Sequence, residues 1–219
     1  INASKTPSNR FQIEALLYGQ SGLLERKYTD LYPNKLKQEY RFYAEKHRLR
    51  LMASMNWKFF RLRPSSFPSL RISYLADFVF KSESLFNKLF NFKNIKELLS
   101  LFNLTTSDYW KSHYVFDKTS KYQNKRIGKS TIDLVFINAI LPFCFFYAKM
   151  KLDEPMSLRV LDAYQELKYE DNKIIRLYKD AGLKVHSAKS SQALIHLHQN
   201  YCIPRNCLNC SVFNQILKT

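Results

Sequence analysis

The sequence predicts an all-α protein, an irregular multi-helix domain of about eight to ten helices. Three observations lead there. Apolar residues recur at helical spacing along most of the chain, as at Ile95, Leu98, Leu99 and Phe102. Only four glycines and seven prolines interrupt 219 residues, too few for a fold built from many hairpins. No stretch alternates apolar and polar residues as a half-buried strand would, and no solenoid-type repeat occurs.

Taken in order, helices are expected over 11–24, 34–50, 68–80, 83–91 and 95–102. Pro33 and Pro68 sit at helix starts, where a missing N–H costs little, and Ser66 or Phe67 takes the cap position before Pro68. A further helix is expected over 106–114. The segment 115–129 (VFDKTSKYQNKRIGK) is polar and basic and reads as a loop. It would separate two helical layers, 1–114 and 130–219, of one domain spanning 1–219. Helices follow over 130–149 and 156–168, the latter opened by Pro155. Ile174, Leu177, Tyr178 and Ala181 form one apolar stripe, stopped by Gly182. Leu194, Leu197 and Tyr201 form the last. Residues 132–148 (IDLVFINAILPFCFFYA) fall short of the roughly 20 residues a membrane span needs and contain Asp133, Asn138 and Pro142. A buried central helix kinked at Pro142, with Cys144 as a small core residue, is expected instead of a span.

Charge narrows the partners. The net charge is +17. Residues 1–151 carry 26 Lys and Arg against 11 Asp and Glu, whereas 152–180 carry 5 against 7. The densest stretch, 40–71, has eight basic residues and one acid, Glu45. A field of this sign favours polyanions, nucleic acid or an anionic membrane surface. Within it lies Trp57-Lys58-Phe59-Phe60-Arg61-Leu62-Arg63-Pro64-Ser65-Ser66-Phe67-Pro68-Ser69-Leu70-Arg71. Two prolines bracket a rigid turn, Arg61, Arg63 and Arg71 offer planar forks suited to phosphate, and Lys58 adds a point charge. Trp57 and Phe67 are the rings available for stacking on bases. The same arginines would equally support an inter-helix turn by bonding backbone carbonyls.

Cys202, Cys207 and Cys210 lie within nine residues, and His198 precedes Cys202 by four. This C-x4-C-x2-C spacing suits zinc or an iron–sulfur cluster, with His198 and Cys202 on one helical face. Alternatively, three thiols simply pack in a small tail helix. Reduced cysteines fit a cytoplasmic setting. Arg126-Ile127-Gly128-Lys129-Ser130-Thr131 resembles the end of a phosphate-binding loop, but Gln123 stands where the first glycine belongs and no strand precedes it. That excludes a P-loop and leaves Lys129 as a further phosphate contact at a helix start. His47 and His113 read as helix-surface or helix-end residues, and Asp77, Asp133 and Glu97 as isolated carboxylates. No catalytic constellation is identifiable. The absent glycine-rich hairpin and the cysteine spacing exclude helix-hairpin-helix DNA glycosylases.

Five segments in order, FQIEALLYGQSGLLE (11–25), LRPSSFPSLRISYLADF (62–78), IGKSTIDLVFINAILPFCFFYA (127–148), 188–194 and NYCIPRNCLNC (200–210), carry a family likeness. The chain resembles the C-terminal half of an uncharacterised bacterial family, domain of unknown function 2851. The resemblance covers nearly the whole chain. It implies a protein about twice this long, whose upstream half, with Gly, Glu and His motifs, has a nuclease-like character. The chain begins at Ile1, consistent with a piece of a longer protein. Two departures stand out: the family pattern has glycine where Phe213 stands, and no histidine at 196 or 198. The expected function is an accessory helical domain that binds nucleic acid or another polyanion through its arginine-rich turn. The alternative is a structural module packed on the N-terminal half of its own full-length protein.

Overall fold

The computed structural model describes residues 9–52, 57–82 and 85–216. Ile1 and the first two residues of the helix expected over 83–91 lie outside the described residues. In chain order the elements are α1 (Arg10–Gln20), α2 (Leu31–His47), α3 (Pro68–Lys81), α4 (Leu85–Phe90), α5 (Ile95–Ser100), α6 (Asp108–Lys111), β1 (His113–Val115) and β2 (Lys118–Thr119). Then come α7 (Lys129–Val135), a π turn (Phe136–Ile140), α8 (Leu141–Met150), α9 (Glu154–Glu166) and α10 (Lys173–Asp180). The last are α11 (Ala188–Leu197), a second π turn (His198–Cys202) and α12 (Ser211–Ile216). The chain is mostly helical, and its β structure among the described residues is a small antiparallel hairpin pairing His113 with Thr119 and Val115 with Lys118.

The helix expected over 106–114 is therefore cut to one turn. Lys125, from the segment expected to be a loop, explains it: its ammonium takes hydrogen bonds to the carbonyls of Trp110, Lys111 and His113. A continuing helix would need those carbonyls for its own ladder. The hairpin's turn rests on Asp117, whose φ is +60° and whose carboxylate accepts from Thr29 N–H at 2.7 Å and Asp30 N–H at 2.9 Å.

The chain divides into two compact units: residues up to 85 with 99–128, and 86–98 with 129–219. In the first, α1 packs on α2 and α3. Gly19 makes the α1–α2 approach close, because a Cβ there would lie 2.0 Å from the Tyr40 ring. Asn9 caps α1 by accepting from Gln12 N–H at 3.0 Å. Beneath α1 the fully buried Tyr18 and Trp110 pack with ring centroids 5.5 Å apart, and Phe116 contacts both. Tyr18 Oη donates to the Ser69 carbonyl at 2.5 Å.

In the second unit, α8 packs on α9, and α11 on α9 and α10. Ile137, Leu141, Cys144 and Ala148 form its buried stripe along the helix from Lys129 to Met150. Pro142 sets the local geometry. With no N–H of its own it cannot bond back along the helix, so the preceding turn widens: Leu141 N–H bonds Phe136, five residues back. The Ile137 carbonyl, left without a backbone donor, accepts from Tyr164 Oη of α9 at 2.9 Å. The expectation of a buried central helix holds along that stripe and is corrected for the rest of the surface. Only 28% of its most apolar stretch is buried, and Leu134, Phe143, Phe146 and Met150 are exposed. By length and composition alone this helix could cross a membrane.

Gly182 stops α10 as anticipated. At φ +90° it allows Gly182 N–H to bond Lys179 at 2.9 Å and Leu183 N–H to bond Tyr178 at 3.0 Å, a Schellman closure that a side chain would strain. Side-chain caps on Asp153 and Asn172 start α9 and α10, and a Ser187–Ser190 capping box starts α11.

Candidate functional site

The arginine-rich turn belongs to the first unit and is held by few but specific contacts. Trp57 donates its indole N–H to the Ser21 carbonyl at 2.9 Å, fixing the start of the segment at the end of α1. Leu62 N–H returns to the Phe59 carbonyl at 3.3 Å, with Arg61 in the left-handed region at φ +63°. That conformation costs a non-glycine residue about 1 kcal/mol. Pro64–Ser66 then form a 3₁₀ turn, Phe67 caps α3 with extended backbone, and Pro68 opens the helix.

This scaffold turns the basic side chains outward. Lys58, Arg61, Arg63 and Arg71 are all exposed. Arg71 Nε donates to the Ser66 carbonyl at 3.3 Å, and the Arg61 guanidinium lies 5.4 Å from the Phe60 ring centre. Among the described residues none of the four has a carboxylate partner. Their charge is uncompensated locally, so a phosphate would meet it without first breaking an ion pair.

The rings are arranged differently from what the sequence offered. Phe67 is half-buried with its ring edge against Phe59, 5.2 Å between centroids. Trp57 and Phe59 instead line a cleft of about 510 Å³, together with Tyr28, Phe116 and Arg26. Phe60, 83% exposed, is the ring most open to solvent beside the arginines. Arg26, Tyr28 and Phe116 were not singled out from the sequence. They lie 29 or more residues from Trp57 in the chain and meet it only in the folded unit.

Behind this surface lies a buried polar network. Glu14, fully buried on α1, accepts from Ser73 Oγ at 2.8 Å, Ser107 Oγ at 3.0 Å and Tyr32 Oη. Burial is the main reason its carboxyl is pushed above the ordinary 4.5, against the pull of those donors and of Arg10. Asp77 is not isolated: it accepts from Arg10 at 2.9 Å, Lys81 at 2.7 Å and Thr105 N–H at 2.9 Å. His113 is buried in β1, stacked on Tyr109 at 4.0 Å, with Nε2 at 3.5 Å from Asp30. These groups cross-link α1, α3 and 105–107, and each faces protein partners rather than the cleft.

Lys129 opens α7 of the second unit, exposed to solvent. In the same unit, Cys202 and Cys207 are exposed and Cys210 is 7% exposed. The π turn carries a bond from Ile203 N–H back to the His198 carbonyl at 2.8 Å, five residues back. Tyr178 contacts both His198 and Cys202: its hydroxyl is 3.5 Å from Cys202 Sγ and its ring lies edge-on to His198 at 5.9 Å. Among the described residues no three His, Cys, Asp or Glu side chains are gathered as a metal site in this conformation. Cys144 is fully buried, with Sγ 3.5 Å from the Leu89 carbonyl, and burial pushes its thiol up to about 11.

Comparison with known families gives one match. The model of a family described as "Protein of unknown function (DUF2851)" covers residues 2–173. It takes in the turn, the cleft and the helix through Pro142, and stops short of α11 and the three clustered cysteines. No curated protein and no solved structure matches the chain.

Proposed function

The chain belongs to the DUF2851 family, and since that membership brings no activity with it, we propose from the site itself that the first unit binds nucleic acid or another polyanion through its basic turn. One observation carries the reading. Lys58, Arg61, Arg63 and Arg71 stand exposed without carboxylate partners beside a cleft walled by Trp57, Phe59 and Tyr28. Cations for the backbone next to rings for the bases is the combination that binds single strands without sequence readout. Arg26 at the cleft brings the basic groups to five. Phosphate contacts by all five would give a log–log salt slope of about −4. The net charge of +17 would hasten encounter. The four cysteines are unpaired thiols, which supports a reducing, cytoplasmic setting.

The test is fluorescence anisotropy with labelled single-stranded and duplex oligonucleotides across a salt series. Wild type should bind with that slope, and an Arg61→Ala/Arg63→Ala variant should bind weakly with a slope shallower by about 1.5–2, while its unfolding midpoint is unchanged. A flat salt response, or equal binding by the variant, refutes the reading.

A second reading is favoured by the exposed apolar residues Leu134, Phe143, Phe146 and Met150 on the second unit's long helix. In it the protein is an interaction module, and that face packs on a partner surface such as the rest of a longer chain. Asp133, Asn138 and Pro142 within the helix favour this over a membrane span. Concentration-dependent self-association that a Phe143→Ser/Phe146→Ser variant abolishes without unfolding would favour this second reading.

A further inference from the structure

The first unit holds another cavity, of about 460 Å³, whose lining includes Arg10, Lys111, Lys125, Arg126, Thr106 and Asp108. Its cations are not equally free. Arg10 is spent on Asp77 at 2.9 Å and the Thr105 carbonyl at 2.7 Å, and Lys111 on Asp108 at 2.6 Å. Lys125 and Arg126 remain. Lys125 is only 6% exposed, and its three hydrogen bonds go to the carbonyls of Trp110, Lys111 and His113. Carbonyls satisfy its N–H groups but cannot cancel its charge, and burial pulls its pKa below 10.5.

Arg126 is exposed, and its guanidinium has no partner among the described residues. Its backbone pairs with Thr105, which places it beside Thr106. Thr106 is 4% exposed, and its Oγ1 has no hydrogen-bond partner. A buried hydroxyl without a partner is uncommon and asks for a missing one.

We infer that this cavity is a binding site for a phosphoryl group, separate from the basic turn. Arg126 supplies a planar fork and Lys125 a fixed positive charge, and the buried Thr106 hydroxyl would rotate to donate to the bound group. Two uncompensated charges match a phosphate monoester, which carries about −1.5 to −2 at neutral pH. The cavity is larger than a phosphate, leaving room for the group that bears it.

Calorimetric titration of the full chain with inorganic phosphate, against sodium chloride at equal ionic strength, tests this directly. A second arm uses the Arg61→Ala/Arg63→Ala variant, with a ten-nucleotide strand carrying or lacking a 5′-phosphate. Saturable binding of inorganic phosphate identifies a small-molecule phosphate site. Binding only of the phosphorylated strand identifies a nucleic-acid end. Either must weaken by about tenfold or more in Arg126→Ala, and by severalfold in Thr106→Val, whose unfolding midpoint should not fall. Binding in neither arm, or binding unchanged by Arg126→Ala, overturns the inference. Because the arginine-turn variant is the background for the strand experiment, failure here leaves the polyanion reading untouched.

Discussion

Replacing Glu14 by alanine should be the most damaging single change in the first unit. The methylenes and carboxylate of Glu14 fill a fully buried position, and three hydroxyls are aimed at it. Ser73, itself 0% exposed, would be left without its acceptor, at about 1–3 kcal/mol. Tyr32 and Ser107 are half-buried and reach water more readily, so about 0.5–1 kcal/mol each is appropriate. With the void added, the loss is about 3–5 kcal/mol, typical of breaking a buried polar network. Glu14→Gln keeps the volume and one acceptor oxygen, and should cost about 1–2 kcal/mol.

The assay is selective by construction of the sequence, because both tryptophans, Trp57 and Trp110, belong to the first unit. Urea unfolding followed by tryptophan fluorescence therefore reports that unit. For a unit of this size m is about 1–1.5 kcal/mol/M, so the alanine midpoint should fall by about 2–5 M. pH adds a second reading. Glu14's carboxyl is raised above 4.5 by burial, so the folded unit keeps its proton to higher pH than the unfolded chain does. Its contribution is complete below the unfolded value and is lost as pH rises through the raised folded value. The advantage of wild type over Glu14→Gln should narrow across that window. An alanine midpoint within about 0.5 M of wild type would refute the reasoning, since it would mean the hydroxyls re-pair at no cost.

Two further outcomes follow from the second unit. Tyr164→Phe removes the side-chain donor at the Ile137 carbonyl and should lower stability by about 1–2 kcal/mol in circular-dichroism unfolding; Pro142→Ala in the same background should recover part of it by restoring an N–H to the helix, and no change in either variant would show that water satisfies this carbonyl instead. In native protein at pH 8, a thiol reagent should label Cys202 and Cys207 fast and Cys210 slowly. Cys144, buried with its thiol pushed up to about 11, should react only on unfolding, and rapid labelling there would contradict the placement of α8.

Much of this protein is legible in local sequence. Helical periodicity, prolines in first turns and the glycine after α10 act within one or two turns of chain, so the helices at 68–81 and 173–180 fall close to where their residues place them. The exposed arginines of the turn are legible for the same reason, because two nearby prolines and a short 3₁₀ turn dictate their direction. What escapes local reading depends on partners far along the chain. The helix expected over 106–114 stops after Lys111 because Lys125 claims its carbonyls. Asp77 ceases to be isolated once Arg10, 67 residues earlier, reaches it. The cleft exists only because Tyr28 and Phe116 meet Trp57 and Phe59. The π turn at His198–Cys202 is announced by no residue pattern. The sequence by itself determined most of the helical segments and where charge accumulates, because propensity, capping and composition are local quantities. Only the tertiary structure decided which carbonyls, carboxylates and rings remain free to meet a ligand, because that depends on which distant donors have already taken them.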